Sequence, residues 1–159
     1  MKQVSSCEKI IIAAPRAKVF DIATTLAGAD FVNSYGPIPG ILSSVGDHVP
    51  WRNIGDQRTH RLSDGSSVNE ELIAFVSDQK YIYRVSGFSG LFDRLVSEAH
   101  GEWVFESHSP KETSITWVYS FTPNGLLESA VTWVIVKLFW QGYLRQALAH
   151  VKEIIEEPS

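Results

Sequence analysis

At 159 residues, 44% hydrophobic and 20% charged, the chain has the length and composition of one globular domain, expected over residues 1–159, with a single sizeable core. The net charge is −4, from 14 Lys and Arg against 18 Asp and Glu, and the basic residues are scattered. That spread argues against a phosphate-tracking stripe and a nucleic-acid partner, and the single cysteine, Cys7, rules out an intrachain disulfide and a paired-cysteine metal site.

The start, MKQVSSCEKIII, has no signal-peptide apolar region, so the expected location is cytoplasmic. A first strand is predicted over residues 4–13. Pro15 suits a first helical position, and Val19, Phe20, Ile22, Ala23 and Leu26 recur at helical spacing, giving a helix over 15–26. A short helical turn over 29–34 precedes GPIPG (36–40), a stiff turn. Strands follow at 41–51, 55–62, 67–76, 80–87, 95–107 and 112–121, separated by turn residues, as an antiparallel meander.

Thr122-Pro123-Asn124 is read as the opening of a long helix that Pro158 closes. Trp133, Val136, Trp140, Tyr143, Leu144, Ala147, Val151 and Ile154 form one apolar stripe along it. Leu127, Val131, Val134, Ile135 and Leu138 make the opposite side of its first half apolar too. Such a helix needs cover on more than one side: a curved sheet, a loop, a second subunit or a membrane surface. Its most apolar run, 130–140, contains Lys137 and is far shorter than the roughly 20 residues of a membrane span.

Four segments carry a family likeness: IIIAAPRAKVFDIATTL (10–26), IGDQRTHRLSDGSSVNEEL (54–72), TSITWVYSFTP (113–123) and the long helix. In this order they resemble the START-like (SRPBCC) superfamily, and within it the bacterial polyketide cyclase/dehydrase-like branch. The resemblance implies an α+β helix-grip fold, a seven-stranded curved antiparallel sheet wrapped around the C-terminal helix with a cavity between them. Members bind lipids, sterols, polyketides, plant hormones or aromatic compounds, and a minority catalyse cyclisation or dehydration. HVPWRNIG (48–55) departs from the glycine-rich turn expected there, and no cyclase catalytic set matches residue by residue.

Hairpin register decides which polar groups enter that cavity. A three-residue loop, Ser63-Asp64-Gly65, pairs Leu62 with Ser66, His60 with Val68 and Arg58 with Glu70. Arg58, His60 and Glu70 then share the inward face with Leu62, Val68 and Leu72. A connection over 77–80 is expected to pair Val76 with Tyr81, Ala74 with Tyr83 and Leu72 with Val85. Alternation places Ile115, Trp117, Tyr119 and Phe121 inward. On the strand over 95–107, either Trp103 and Phe105 or His100, Glu102 and Val104 face in.

Three readings follow for the polar trio. Arg58 and Glu70 form a cross-strand ion pair that only neutralises itself; or Arg58 and His60 orient a ligand's polar group; or Glu70 or His60 acts as general base while Arg58 stabilises an oxyanion. The expected ligand-binding set is Arg58, His60, Glu70, Leu72, Tyr81, Tyr83, Trp117, Tyr119, Trp140 and Tyr143. The expected cavity mouth is Phe88, Leu91 and Phe92, within GFSGLFDRL (87–95), facing Phe31, Tyr35 and the GPIPG turn; Trp51 is rim or core. His48, His100, His108 and His150 show no ligand spacing, and HExxH, GxSxG and GxxxxGK[ST] are missing, so neither metal nor cofactor is expected. The sequence thus points to a binder of a small hydrophobic or aromatic molecule. The rivals are a polyketide cyclase or dehydratase and an interaction protein that uses the apolar helix face as a homodimer or partner surface.

Overall fold

The computed structural model describes residues 3–46 and 51–158. Seven strands form one antiparallel sheet: β1 (Val4–Ile12), β2 (Ile41–Gly46), β3 (Gln57–Leu62), β4 (Ser67–Val76), β5 (Lys80–Ser86), β6 (Val96–Ser109) and β7 (Glu112–Pro123). Their order across the sheet is β1-β7-β6-β5-β4-β3-β2, so the first two strands of the chain occupy opposite edges. The connection between those edges carries α1 (Arg16–Thr25) and a 3-10 turn (Gly28–Asp30); α2 (Leu91–Leu95) joins β5 to β6. The chain ends in a continuous helix made of α3 (Leu126–Ile135), a π turn (Val136–Trp140) and α4 (Gln141–Glu156). This is the helix-grip architecture expected from the sequence.

Pro15 stands one residue before α1, where its fixed φ of −64° sets the entry and its carbonyl accepts the Val19 amide. Helix α1 turns Val19, Phe20 and Ala23 into the core, and Phe20 meets Phe75, Tyr81 and Phe105 edge-on. β7 alternates as expected, with Ile115, Trp117, Tyr119 and Phe121 buried. On β6 the inward set is Ala99, Gly101, Trp103 and Phe105, which resolves the two alternatives for that strand.

Several expectations fail for identifiable reasons. The β4–β5 connection spans 77–79 rather than 77–80, so Val76 pairs with Lys80 and is exposed, Phe75 lies opposite Tyr81 and Ala74 opposite Ile82. A bulge between Leu72 and Ala74 shifts the register by one residue more, so Leu72 pairs with Tyr83 rather than Val85. The strand expected over 41–51 ends at Gly46; residues 47–50, including His48, lie outside the described residues, and Trp51 belongs to no strand. Residues 53–56 form a turn closed by the Asn53 carbonyl and the Asp56 carboxylate, so β3 begins only at Gln57.

The long helix starts later than Thr122-Pro123-Asn124 suggests. Pro123 ends β7, where a missing N–H is tolerated, and the Asn124 amide and side chain bind the carbonyls of Leu95, Asp93 and Arg94. The inward face of the helix is also phased differently. Thr132, Val136, Trp140, Leu144, Leu148, Val151 and Ile155 are buried, whereas Trp133 is 55% exposed and Ile154 only half-buried. The π turn is wider than an α turn, so residues four apart stay aligned through it and the stripe expected at constant α-helical pitch slips. On the outer side Leu126 (83%), Leu127 (73%), Val131, Val134 and Leu138 are exposed. Among the described residues no helix is long and apolar enough to cross a membrane.

Candidate functional site

Between the concave face of the sheet and the helix lies a cavity of about 160 Å³. Its polar wall comes from the β3–β4 hairpin, whose register is the expected one: Arg58 opposite Glu70 and His60 opposite Val68, with the Leu62 amide bonded to the Ser66 carbonyl. Gly65, at φ +87°, supplies the left-handed residue of the loop. The resulting trio is tightly joined. Glu70 Oε1 accepts from Arg58 Nε at 3.0 Å and lies 2.9 Å from His60 Nε2.

All three groups are nearly closed off from solvent. Burial alone raises the Glu70 carboxyl, but the charges and hydrogen bonds of His60 and Arg58 outweigh it and hold the group at about 2, below its ordinary 4.5. Glu70 is therefore a carboxylate at neutral pH and a feeble base. The Arg58 guanidinium also stacks over Trp51, 3.7 Å from the ring centre. Trp51 is core, packed against Tyr81 and Tyr83.

His60 has a further partner that the sequence reading missed: Ser44 Oγ lies 2.6 Å from Nδ1. His60 thus faces Glu70 through Nε2 and the Ser44 hydroxyl through Nδ1, which holds the ring from both sides. Ser44 sits opposite His60 in the β2–β3 ladder. Only the register of β2 on β3 reveals it, and the ten residues between those strands hide that register from sequence. Gly28 supplies room beside the ring: a side chain there would meet Ile41 at 2.6 Å and His60 Cε1 at 3.4 Å.

The rest of the lining mixes aromatic rings with aliphatic side chains such as Val68 and Val85 and with Asp64, Ser66 and Ser89. Tyr81, Tyr83, Trp103, Trp117, Tyr119, Trp140 and Tyr143 border the cavity, so the expected set is brought together with Trp103 added. Leu72 is the exception; it is fully buried but lies outside the lining. Burial holds the hydroxyls of Tyr83, Tyr119 and Tyr143 well above the usual phenol range, and the Glu70 charge pushes the same way, so they remain protonated donors. Tyr143 Oη donates to the Pro39 carbonyl, tying α4 to the GPIPG turn.

At the mouth, Phe88 and Phe92 pack against the core and Leu91 is 63% exposed; all three line the opening together with Phe31, Pro37, Ile38 and Pro39. Tyr35 does not line it. Its ring covers Gly142 on α4, drawn there because glycine leaves space. Among the described residues no three His, Cys, Asp or Glu side chains are grouped to hold a metal ion.

Solved structures share this architecture at low sequence identity. Norcoclaurine synthase from Thalictrum flavum superposes with a TM-score of 0.70 at 12% identity, over 100% of this chain and 98% of that one. A major latex-like protein from Panax ginseng gives 0.68 at 11% identity, over 96% and 97% of the two chains. A Chromobacterium violaceum protein gives 0.66 at 13%, over 98% and 99%. No curated protein matches the sequence significantly. The family model for polyketide cyclase / dehydrase and lipid transport proteins matches residues 3–156. With the curved sheet, the gripped helix and the enclosed cavity in place, the chain belongs to that family, within the START-like (SRPBCC) superfamily.

Proposed function

We propose that the chain works as one binding domain that encloses a single small aromatic molecule between sheet and helix. The observation that carries this reading is the cavity itself, about 160 Å³ and lined by ten aromatic side chains among aliphatic ones. An apolar hole of about 150 Å³ accommodates a benzene ring, whereas sites for larger ligands run to roughly 300–1,000 Å³. The volume suits one ring rather than a sterol or a long acyl chain. Arg58, His60 and Glu70 form the polar end that orients it.

A cyclase or dehydratase reading needs Glu70 or His60 as a base, and here it is the weaker one. Glu70 is spent on two donors and holds its proton only below about 2. Both ring nitrogens of His60 are already engaged.

Native mass spectrometry of freshly purified protein, with the released small molecule then identified, tests the binding reading. A single bound aromatic compound of one or two rings supports it. An empty protein whose tryptophan emission also ignores every single-ring aromatic added to it overturns it.

A second reading concerns α3. Its exposed Leu127, Val131 and Val134, with Leu138 of the π turn, are spaced four, three and four residues apart, the seam at which two helices pack. A second copy of the chain is the partner that seam fits, and the oligomeric mass tests it.

A further inference from the structure

Three buried tyrosines that line the cavity, Tyr81, Tyr83 and Tyr119, have hydroxyls with no hydrogen-bond partner among the described residues. Surrounding atoms seal the tryptophan nitrogens, but these hydroxyls keep open surface, and on buried side chains that border the cavity that surface faces the cavity. A hydroxyl removed from bulk water without a partner is costly, and native interiors hold few. Here three border one small space.

Packing sets their positions. Tyr83 lies over Gly101, where any side chain would collide with its hydroxyl end, and its ring centroid is 6.4 Å from those of Tyr81 and Tyr119. Tyr119 is wedged against Phe121 and Trp140, 5.1 Å from each. The indole N–H groups of Trp103 and Trp117 lean toward the Tyr83 oxygen without reaching hydrogen-bond geometry, which leaves its proton in need of an acceptor. Burial keeps all three hydroxyls protonated far above neutral pH, so each donates one hydrogen bond and accepts up to two.

The other polar atoms of the lining divide into two groups. Arg58 and His60 both take Glu70 Oε1, which leaves Oε2 as an acceptor on the polar wall. At the rim the groups serve one another: Asp64 accepts from the Ser66 amide and hydroxyl, and Ser89 Oγ accepts from the Ser67 amide. The interior thus presents three hydroxyls that both donate and accept, beside a carboxylate that only accepts. A carbonyl would take protons from two hydroxyls and offer nothing to Glu70, an ammonium would leave the tyrosine protons unused, and a carboxylate would face the ionised Glu70. A hydroxyl has one proton and two lone pairs, and it matches both kinds of group.

Resting on the cavity as a site for one aromatic ring, we propose that it selects a phenol over other single-ring compounds. The ligand's ring lies among the aromatic side chains, its oxygen accepts from tyrosine hydroxyls, and its proton goes to the remaining tyrosine oxygen or to Glu70.

The test compares p-cresol with two molecules of the same size: p-xylene, with methyl in place of hydroxyl, and anisole, an isomer whose oxygen accepts but cannot donate. Affinities are read by isothermal titration calorimetry. p-Xylene has the stronger drive to leave water, so a preference for p-cresol reports on the polar groups. p-Cresol is expected to bind about tenfold tighter or more than either, the worth of one or two hydrogen bonds. Binding of p-xylene or anisole as tight as that of p-cresol overturns this proposal and leaves the binding reading standing; failure of all three to bind overturns both. Tyr83→Phe and Tyr119→Phe keep their rings and should each shrink the preference over p-xylene by about threefold or more. A preference unchanged in both variants overturns the role of the hydroxyls, and if neither folds, the three affinities of the unaltered protein still decide.

Discussion

Glu70→Gln keeps the shape of the side chain at the centre of the polar wall and removes its charge. In the folded chain the carboxyl sits at about 2 rather than 4.5. At about 1.36 kcal/mol for each unit of that difference, the ionised form contributes about 3 kcal/mol of stability at neutral pH. Because the folded value is the lower one, the contribution is complete above pH 4.5 and is lost as the pH falls from there toward 2. Glu70→Gln should therefore be about 3 kcal/mol less stable than the parent at pH 7 and converge with it near pH 2. Urea denaturation followed by tryptophan emission at several pH values measures the gap directly. A gap below about 1 kcal/mol at pH 7, or one that does not narrow on acidification, refutes the view that Glu70 is held ionised by Arg58 and His60.

Two glycines should respond oppositely to alanine. At Gly101 the new Cβ would lie 2.1 Å from Cζ of buried Tyr83, so Gly101→Ala should cost about 1–3 kcal/mol in urea titrations and weaken binding of any aromatic probe. At Gly142 the same change meets only the tip of Tyr35, which is 37% exposed and free to swing aside. The thermal midpoint of Gly142→Ala should be no lower than the parent's, because alanine favours the helix by up to about 1 kcal/mol. Ser44→Ala leaves His60 Nδ1 without its partner and should cost about 1 kcal/mol by the same urea assay. Val134→Lys, on the outer face of α3, should change stability by no more than about 0.5 kcal/mol. It should still lower the solution mass measured by light scattering, and an unchanged mass counts against self-association through that face.

The parts of the site legible in the sequence are those set by local rules. Ser63-Asp64-Gly65 fixes its own loop geometry, so the Arg58–Glu70 pairing follows from three residues. Strict alternation made the inner face of β7 equally plain. What escaped depends on features without a compositional mark. The bulge beyond Leu72 looks like ordinary strand, yet it moves Phe75 inward and Val76 out. The π turn has no signature in VKLFW, so Trp133 reads as core and is in fact at the surface. The Ser44–His60 contact spans two strands whose alignment is set by the sheet as a whole.

The strand order has a bearing on how this cavity comes into being as the chain is made. β1 lies at the sheet edge beside β7, more than a hundred residues later, and the roof of the cavity, Trp140 and Tyr143, lies in the long helical segment that follows β7. Until that segment has left the ribosome, Tyr81, Trp103 and Trp117 form an uncovered aromatic trough, and the first strand has no neighbour. Pairings this distant in sequence form slowly, and the unroofed trough is the most adhesive surface the chain ever presents. Once the helix is in place, the gap between the GPIPG turn and the Phe88–Phe92 segment is the opening that the covered trough keeps.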